Sequence, residues 1–133
     1  MTRFMLDTNT ASSLLKGQPN VVARVAATAP ELLCLSAVTE GEIRYGLARR
    51  PDARKLRATV DELLSAIETL PWTSATARRY GTLRAELERR GRPLGALDLM
   101  IAAHAVEHDA VLATSDRGFR AVPALRIEDW TAA

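Results

Sequence analysis

A chain of 133 residues, 47% hydrophobic and 26% charged, has the balance of one soluble globular domain, here residues 1–133, and not that of a disordered or fibrous protein. No apolar run reaches the roughly 18 residues of a membrane span, and Asp7 cuts the N-terminal run short, so neither membrane association nor a signal peptide is expected. A net charge of +2 excludes a strong global attraction for polyanions, and the single Cys34 excludes an internal disulfide and suits a cytoplasmic protein.

Phe4 to Leu6, closed by Asp7, Thr8, Asn9 and Thr10, predicts a short strand buried on both faces. Thr10 to Lys16 predicts a short helix ended by Gly17. Gln18 and Pro19 open another, with Val21, Val22, Val25 and Ala26 at helical spacing, stopping near Pro30. Leu32 to Leu35 reads as a second buried strand, in which Cys34 is a small hydrophobe. Ser36 is the expected N-cap of a helix from Ala37 to Arg49. Pro51 and Asp52 open a long helix carrying Leu56, Val60, Leu63, Leu64 and Ile67 on one stripe.

Leu70 to Trp72 marks a short strand or crossing, and Ser74 is the expected cap of a helix to Arg90. Gly91 to Gly95 is a loop. Leu97 to Val106 is almost wholly apolar and predicts the central buried helix. Ala110 to Thr114 is a third clear strand, Ser115 to Gly118 a turn, and Leu125 to Ile127 a last edge strand. Strands alternating with helices predict an α/β fold around a mostly parallel sheet.

Crossover geometry then places the acids. A helix that follows a parallel strand starts at the strand's C-terminal edge and runs back. Asp7 ends the first strand at that edge, and Asp116 lies just past the third. Glu40 and Glu42 fall in the first two turns of the helix after the second strand, and Asp98 in the first turn of the buried helix. Carboxylates from four segments therefore converge on one edge, where ligands gather in open α/β sheets. Local roles compete at each position. Asp7 or Thr8 suits a helix cap, Thr39 and Glu42 fit a capping box, Asp98 suits a helix dipole, and Asp116 suits a turn.

Two carboxylates about 4 Å apart repel by about 4 kcal/mol at an effective dielectric near 20. A cluster of four calls for a counter-cation, and oxygen-only ligands favour Mg²⁺ or Mn²⁺ over Zn²⁺. His104 and His108 fall away from this edge and read as packing or surface residues. Arginine outnumbers lysine sixteen to two. One group comprises Arg44, Arg49, Arg50, Arg54, Lys55 and Arg57, and a second runs from Arg78 to Arg92. Guanidinium forks suit phosphates, while solvated helix faces explain the same pattern.

The motifs carry a resemblance. Met5-Leu6-Asp7-Thr8-Asn9 opens it, followed by Leu35-Ser36-Ala37-Val38-Thr39 with Glu42-Ile43-Arg44-Tyr45-Gly46 downstream. Gly95-Ala96-Leu97-Asp98 with Leu99 to Ala105 comes next, then Leu112 to Asp116, and Val122 to Trp130 closes the chain. In this order the chain resembles the PIN-domain ribonucleases of the VapC toxin family. The resemblance implies that Asp7, Glu42, Asp98 and Asp116 are the acidic metal-binding residues, choosing Glu42 over Glu40. It implies that Thr8, Asn9, Ser36 and Thr114 hold or orient those carboxylates. Many relatives carry a further acid just before the phenylalanine, where this chain has Gly118 before Phe119, so Asp116 has no substitute.

The resemblance also implies an Mg²⁺- or Mn²⁺-dependent endoribonuclease acting on a structured RNA such as a tRNA, a cognate antitoxin partner, and a homodimer. Arg44, Arg49 and Arg50 are the expected RNA contacts. Two other readings compete. An aspartyl phosphatase of the haloacid dehalogenase type needs a carboxylate where Asn9 stands and a threonine where Ala11 stands. A non-catalytic nucleic-acid-binding regulator would use the fold and the arginines alone.

Overall fold

A computed structural model gives the fold and describes residues 1–132. The elements run β1 (Phe4–Leu6), α1 (Thr8–Leu15), α2 (Pro19–Ala26), β2 (Leu33–Ser36), α3 (Ala37–Ala48), α4 (Arg54–Ala66), β3 (Glu68–Leu70), α5 (Ser74–Arg89), α6 (Ala96–Glu107), β4 (Val111–Ala113) and β5 (Ile127–Glu128). All four strand pairings are parallel, in the order β3-β2-β1-β4-β5. The α/β architecture expected from the alternation is present, with every pairing parallel.

Strand alternation divides the core in two. Met5 and Cys34 point to one face, where Leu83, Leu87, Leu99, Ile101 and Leu112 pack from α5, α6 and β4. Leu6, Leu33 and Leu35 point to the other, against Val21, Ile43, Leu47, Val60 and Trp130. Helices α5 and α6 therefore cover one face and α1 to α4 the other. Helix α6 is apolar nearly all round because the sheet and α5 enclose it. Cys34 sits in the sheet, and burial pushes its thiol up to about 11, the state of an inert packing residue. Among the described residues no helix is long and apolar enough to cross a membrane.

Several element starts differ from expectation, each for a local reason. Helix α1 begins at Thr8, because the Asp7 carboxylate accepts from the Thr10 backbone N–H at 2.8 Å and caps it. Pro51 and Asp52 form a turn before α4, which starts at Arg54. Thr73, not Ser74, caps α5, in a reciprocal capping box with Thr76. Strand β3 ends at Leu70, before Pro71, which has no N–H for a ladder. The last strand pairs at Ile127 and Glu128, beyond a turn in which Ala124 adopts φ +64°.

Candidate active site

The strand order reverses at β1. From there the chain proceeds through β2 and β3 on one side, and β4 and β5 lie on the other. The C-terminal edge between β1 and β4 is thus the topological switch point, where an open parallel sheet leaves a crevice. Asp7 follows β1 directly and Asp116 lies three residues beyond β4. Glu42 reaches the same edge from the second turn of α3, and Asp98 from the first turn of α6 on the opposite face. Carboxylates from both helix layers and from two neighbouring strand ends meet there.

Electrostatics record the convergence. Burial and then the charges of Asp116, Asp7 and Glu42 raise the Asp98 carboxyl above its ordinary 3.8, and no hydrogen bond offsets them. The other three acids have protein donors. Asp7 is buried and accepts from the Thr10 N–H, while its own N–H donates to the Ala113 carbonyl at 3.1 Å. The Thr8 hydroxyl donates to Glu42 Oε1 at 2.7 Å. Asp116 Oδ1 accepts from the Gly118 N–H at 2.8 Å, and its own N–H donates to Thr114 Oγ1 at 3.0 Å.

The competing local roles resolve differently at each position. Asp7 both caps α1 and faces the crevice. The capping box at Thr39 and Glu42 does not form, because Ser36 caps α3 one turn earlier, accepting from the Val38 N–H at 3.0 Å. Asp116 does serve a turn, as the cap of the short 3-10 helix Arg117–Ala121. Glu40 pairs with Arg44 at 2.6 Å and points along the helix surface.

The neighbours implied by the resemblance are placed as follows. Thr8 holds Glu42, Thr114 holds the backbone of Asp116, and Ser36 fixes the start of α3. Asn9 is exposed on the first turn of α1, and Thr8 and Thr10 make the hydrogen bonds around the carboxylates. Sequence reasoning missed Thr10, whose buried hydroxyl donates to the Ala113 carbonyl at 2.8 Å and ties α1 to β4. Its position three residues after Asp7, the N-cap spacing, was the available signal. Thr39 was weighed only as a cap, yet it lies buried 3.4 Å from the Thr8 hydroxyl.

Of the expected RNA contacts, Arg44 is ion-paired to Glu40, Arg49 lies 5.4 Å over the Tyr45 ring, and Arg50 is exposed. A second basic surface was not anticipated. Arg92, Arg117 and Arg120 line a cavity of about 420 Å³ together with Gly118, two residues from Asp116.

The residues fit a hard divalent cation. All four donors are carboxylate oxygens, and Asp98 carries the uncompensated repulsion of the other three. They are not drawn into a tight cluster. Among the described residues, the three groups whose donor atoms all lie within 4.8 Å of one another are His104, Glu107 and His108, at the C-terminal end of α6.

Comparison with known proteins agrees with this geometry. The PIN domain model matches residues 4–125. The chain is 36% identical over 131 residues to the tRNA(fMet)-specific endonuclease VapC of Salmonella typhimurium, covering 98% of this chain and 99% of that protein. It superposes on a chain of the DNA-bound VapBC crystal structure from Salmonella typhimurium with a TM-score of 0.90 and 36% identity, covering 98% and 99%. A chain of VapBC2 from Rickettsia felis, bound to a promoter DNA fragment, gives a TM-score of 0.88 at 28% identity, covering 96% and 98%. With an all-parallel five-stranded sheet and four acids at its switch point, the chain belongs to the PIN-domain family, in the VapC group.

Proposed function

We propose that the chain is a metal-dependent endoribonuclease toxin in which Asp7, Glu42, Asp98 and Asp116 hold Mg²⁺ or Mn²⁺. The observation that carries this reading is the meeting of four carboxylates at the β1–β4 crevice, felt by Asp98 as a raised pKa. A protein that only bound nucleic acid would be hindered by such a cluster, since carboxylates repel phosphates. When bound, the cation supplies an acidified water and neutralises phosphate oxygens during in-line displacement.

The chain's own residues position the rest. Thr8 orients Glu42, the Thr10 N–H orients Asp7, and Thr114 with Gly118 fixes Asp116. Ser36 sets where α3 begins and hence where Glu42 stands. No protein nucleophile is required. RNA approaches across Arg44, Arg49 and Arg50 on one side and the Arg92, Arg117 and Arg120 groove on the other.

The Salmonella relative is named for tRNA(fMet), so a structured RNA, a tRNA first, is the substrate we take for this chain. The similar VapBC structures support a cognate antitoxin as partner, and we take the assembly to be cytoplasmic, with a second copy of this chain. The test is incubation of antitoxin-free protein with total RNA and with purified tRNA, in Mg²⁺, Mn²⁺ or chelator, with product ends mapped. Cleavage at defined positions is expected with either ion, and none with chelator or in Asp7→Asn. Tight RNA binding without cleavage under any ion returns the chain to the class of non-catalytic binders.

A further inference from the structure

A buried histidine that this reaction does not use stands in the second half of α6, beside two more exposed ionisable groups. His104, Glu107 and His108 stand at positions i, i+3 and i+4, a spacing that brings side chains onto one helix face. Each offers one donor atom, and these atoms all lie within 4.8 Å of one another. His108 is the C-cap, with near-helical angles of φ −94° and ψ 7°, so the register between the two imidazoles is kept. The ring centroids are 5.3 Å apart, and Glu107 Oε1 lies 3.6 Å from His108 Nε2.

Two of the three groups, His104 and Glu107, are also held from behind, as ligands usually are. His104 is fully buried, with Nδ1 2.8 Å from Ser36 Oγ. That oxygen already accepts from the Val38 N–H and has a second lone pair for an Nδ1–H donor. With the proton on Nδ1, Nε2 carries a lone pair; it is buried and no donor reaches it. The Pro71 carbonyl, an acceptor beside the ring, favours its charged form and is the least of four influences on it. Burial and His108 keep the ring neutral. Glu107 accepts from the buried Thr76 hydroxyl at 2.6 Å, which fixes its carboxylate.

We propose that His104 Nε2, the Glu107 carboxylate and His108 form a second metal site, distinct from the acidic edge, for a borderline-soft divalent cation such as Zn²⁺. Two imidazoles and one carboxylate select Zn²⁺ over Mg²⁺, and a water completes four-coordination. The negative end of the α6 dipole adds to the attraction. His108 and Glu107 are partly exposed, which leaves a path from solvent. A bound ion joins α6 to α5 through Glu107 and Thr76. Through His104 and Ser36 it also reaches the cap of α3, the helix that bears Glu42.

The experiment titrates the tag-free, full-length Asp98→Asn protein, whose acidic edge is weakened, with Zn²⁺ and with Co²⁺ in millimolar Mg²⁺. One equivalent of Zn²⁺ is expected to bind, with a Co²⁺ absorption band of low coordination number and quenching of Trp72, whose ring lies 5.6 Å from His104. His108→Gln and Glu107→Gln are expected to weaken Zn²⁺ at least about tenfold, with a similar loss in Thr76→Val. His104 and His108 are the chain's two histidines, so both imidazole NMR signals of the parent must move together at one equivalent. That measurement needs no variant to fold. Absence of saturable Zn²⁺ binding, unmoved imidazole signals, or unchanged affinity in either the Glu107 or the His108 variant overturns the assignment.

Discussion

The Thr8 hydroxyl donates to the Glu42 carboxylate over 2.7 Å, joining the first turn of α1 to the second turn of α3. A long, half-buried glutamate has several rotamers, and this bond selects one that faces the crevice. Thr8→Val keeps the side-chain shape and removes the donor. The fold should lose about 1 kcal/mol, as for a typical hydrogen bond. Cleavage should fall about 10- to 100-fold, as when the group orienting a metal ligand is lost. Thr8→Ser should restore most of it. RNA cleavage rates of the three proteins, with their melting curves, provide the check.

Asp98 carries a pH signature. Its folded-state pKa lies above the ordinary 3.8, so the folded chain holds the proton more tightly than the unfolded one. Stability without metal is therefore full below about pH 3.8 and falls as pH rises through the raised value. Asp98→Asn removes that loss. Its melting temperature should exceed that of the parent near neutral pH in chelator and converge with it in acid. Cleavage should disappear in the same variant. Near-parental cleavage by Asp98→Asn would sink the assignment of the site.

Two basic surfaces are candidate paths for RNA, and they differ in how free their charges are. Arg44 is committed to Glu40, though an exposed pair of this kind is worth little and opens readily. Arg117 and Arg120 line the groove beside Gly118, two residues from Asp116. Replacing both with alanine should weaken RNA binding and lower the salt slope by about 0.7 per lost phosphate contact on single strands. Arg49→Ala with Arg50→Ala should act the same way if RNA crosses α3. Binding isotherms at several salt concentrations separate the two paths. A slope unchanged by either pair makes that surface a solvated face.

Much of the fold was legible because burial writes itself into short sequences. Phe4 to Leu6, Leu32 to Leu35 and Ala110 to Thr114 were read as strands within a residue or so of β1, β2 and β4. The crossover rule then carried Asp7, Glu40 and Glu42, Asp98 and Asp116 to one edge, and the resemblance chose Glu42 over Glu40. What was not legible depends on which of several equivalent donors closes a contact. Thr73 and Ser74 are interchangeable cap residues by type, and only backbone direction chose between them. The Thr8–Glu42 and His104–Ser36 contacts span 34 and 68 residues, and no local pattern encodes such pairs. The groove of Arg92, Arg117 and Arg120 was hidden for the same reason, since two loops far apart in sequence build it.

Asp116 has two roles that one substitution can separate. Its Oδ1 accepts from the Gly118 N–H, and an asparagine Oδ1 accepts equally well, so Asp116→Asn keeps the turn and the cap of the 3-10 helix. Stability should then change by no more than about 0.5 kcal/mol, the range of an exposed neutral swap. The charge, however, is gone. Among the three carboxylates that raise Asp98, Asp116 acts most strongly. Its neutralisation should bring Asp98 back toward 3.8 and make the fall of stability with rising pH shallower. If Asp116 also holds the cation, Mg²⁺ affinity should drop about tenfold, or about 1.4 kcal/mol, with a matching loss of cleavage at limiting Mg²⁺. Gly118→Ala offers an independent displacement, because its Cβ would stand 3.1 Å from Asp116 Oδ1 and push the carboxylate without removing it. Calorimetric Mg²⁺ titration of both variants, beside their stability between acid and neutral pH, tests the two roles together. A shallower pH profile with unchanged Mg²⁺ affinity in Asp116→Asn would leave Asp7, Glu42 and Asp98 as the whole ligand set and Asp116 as an electrostatic neighbour.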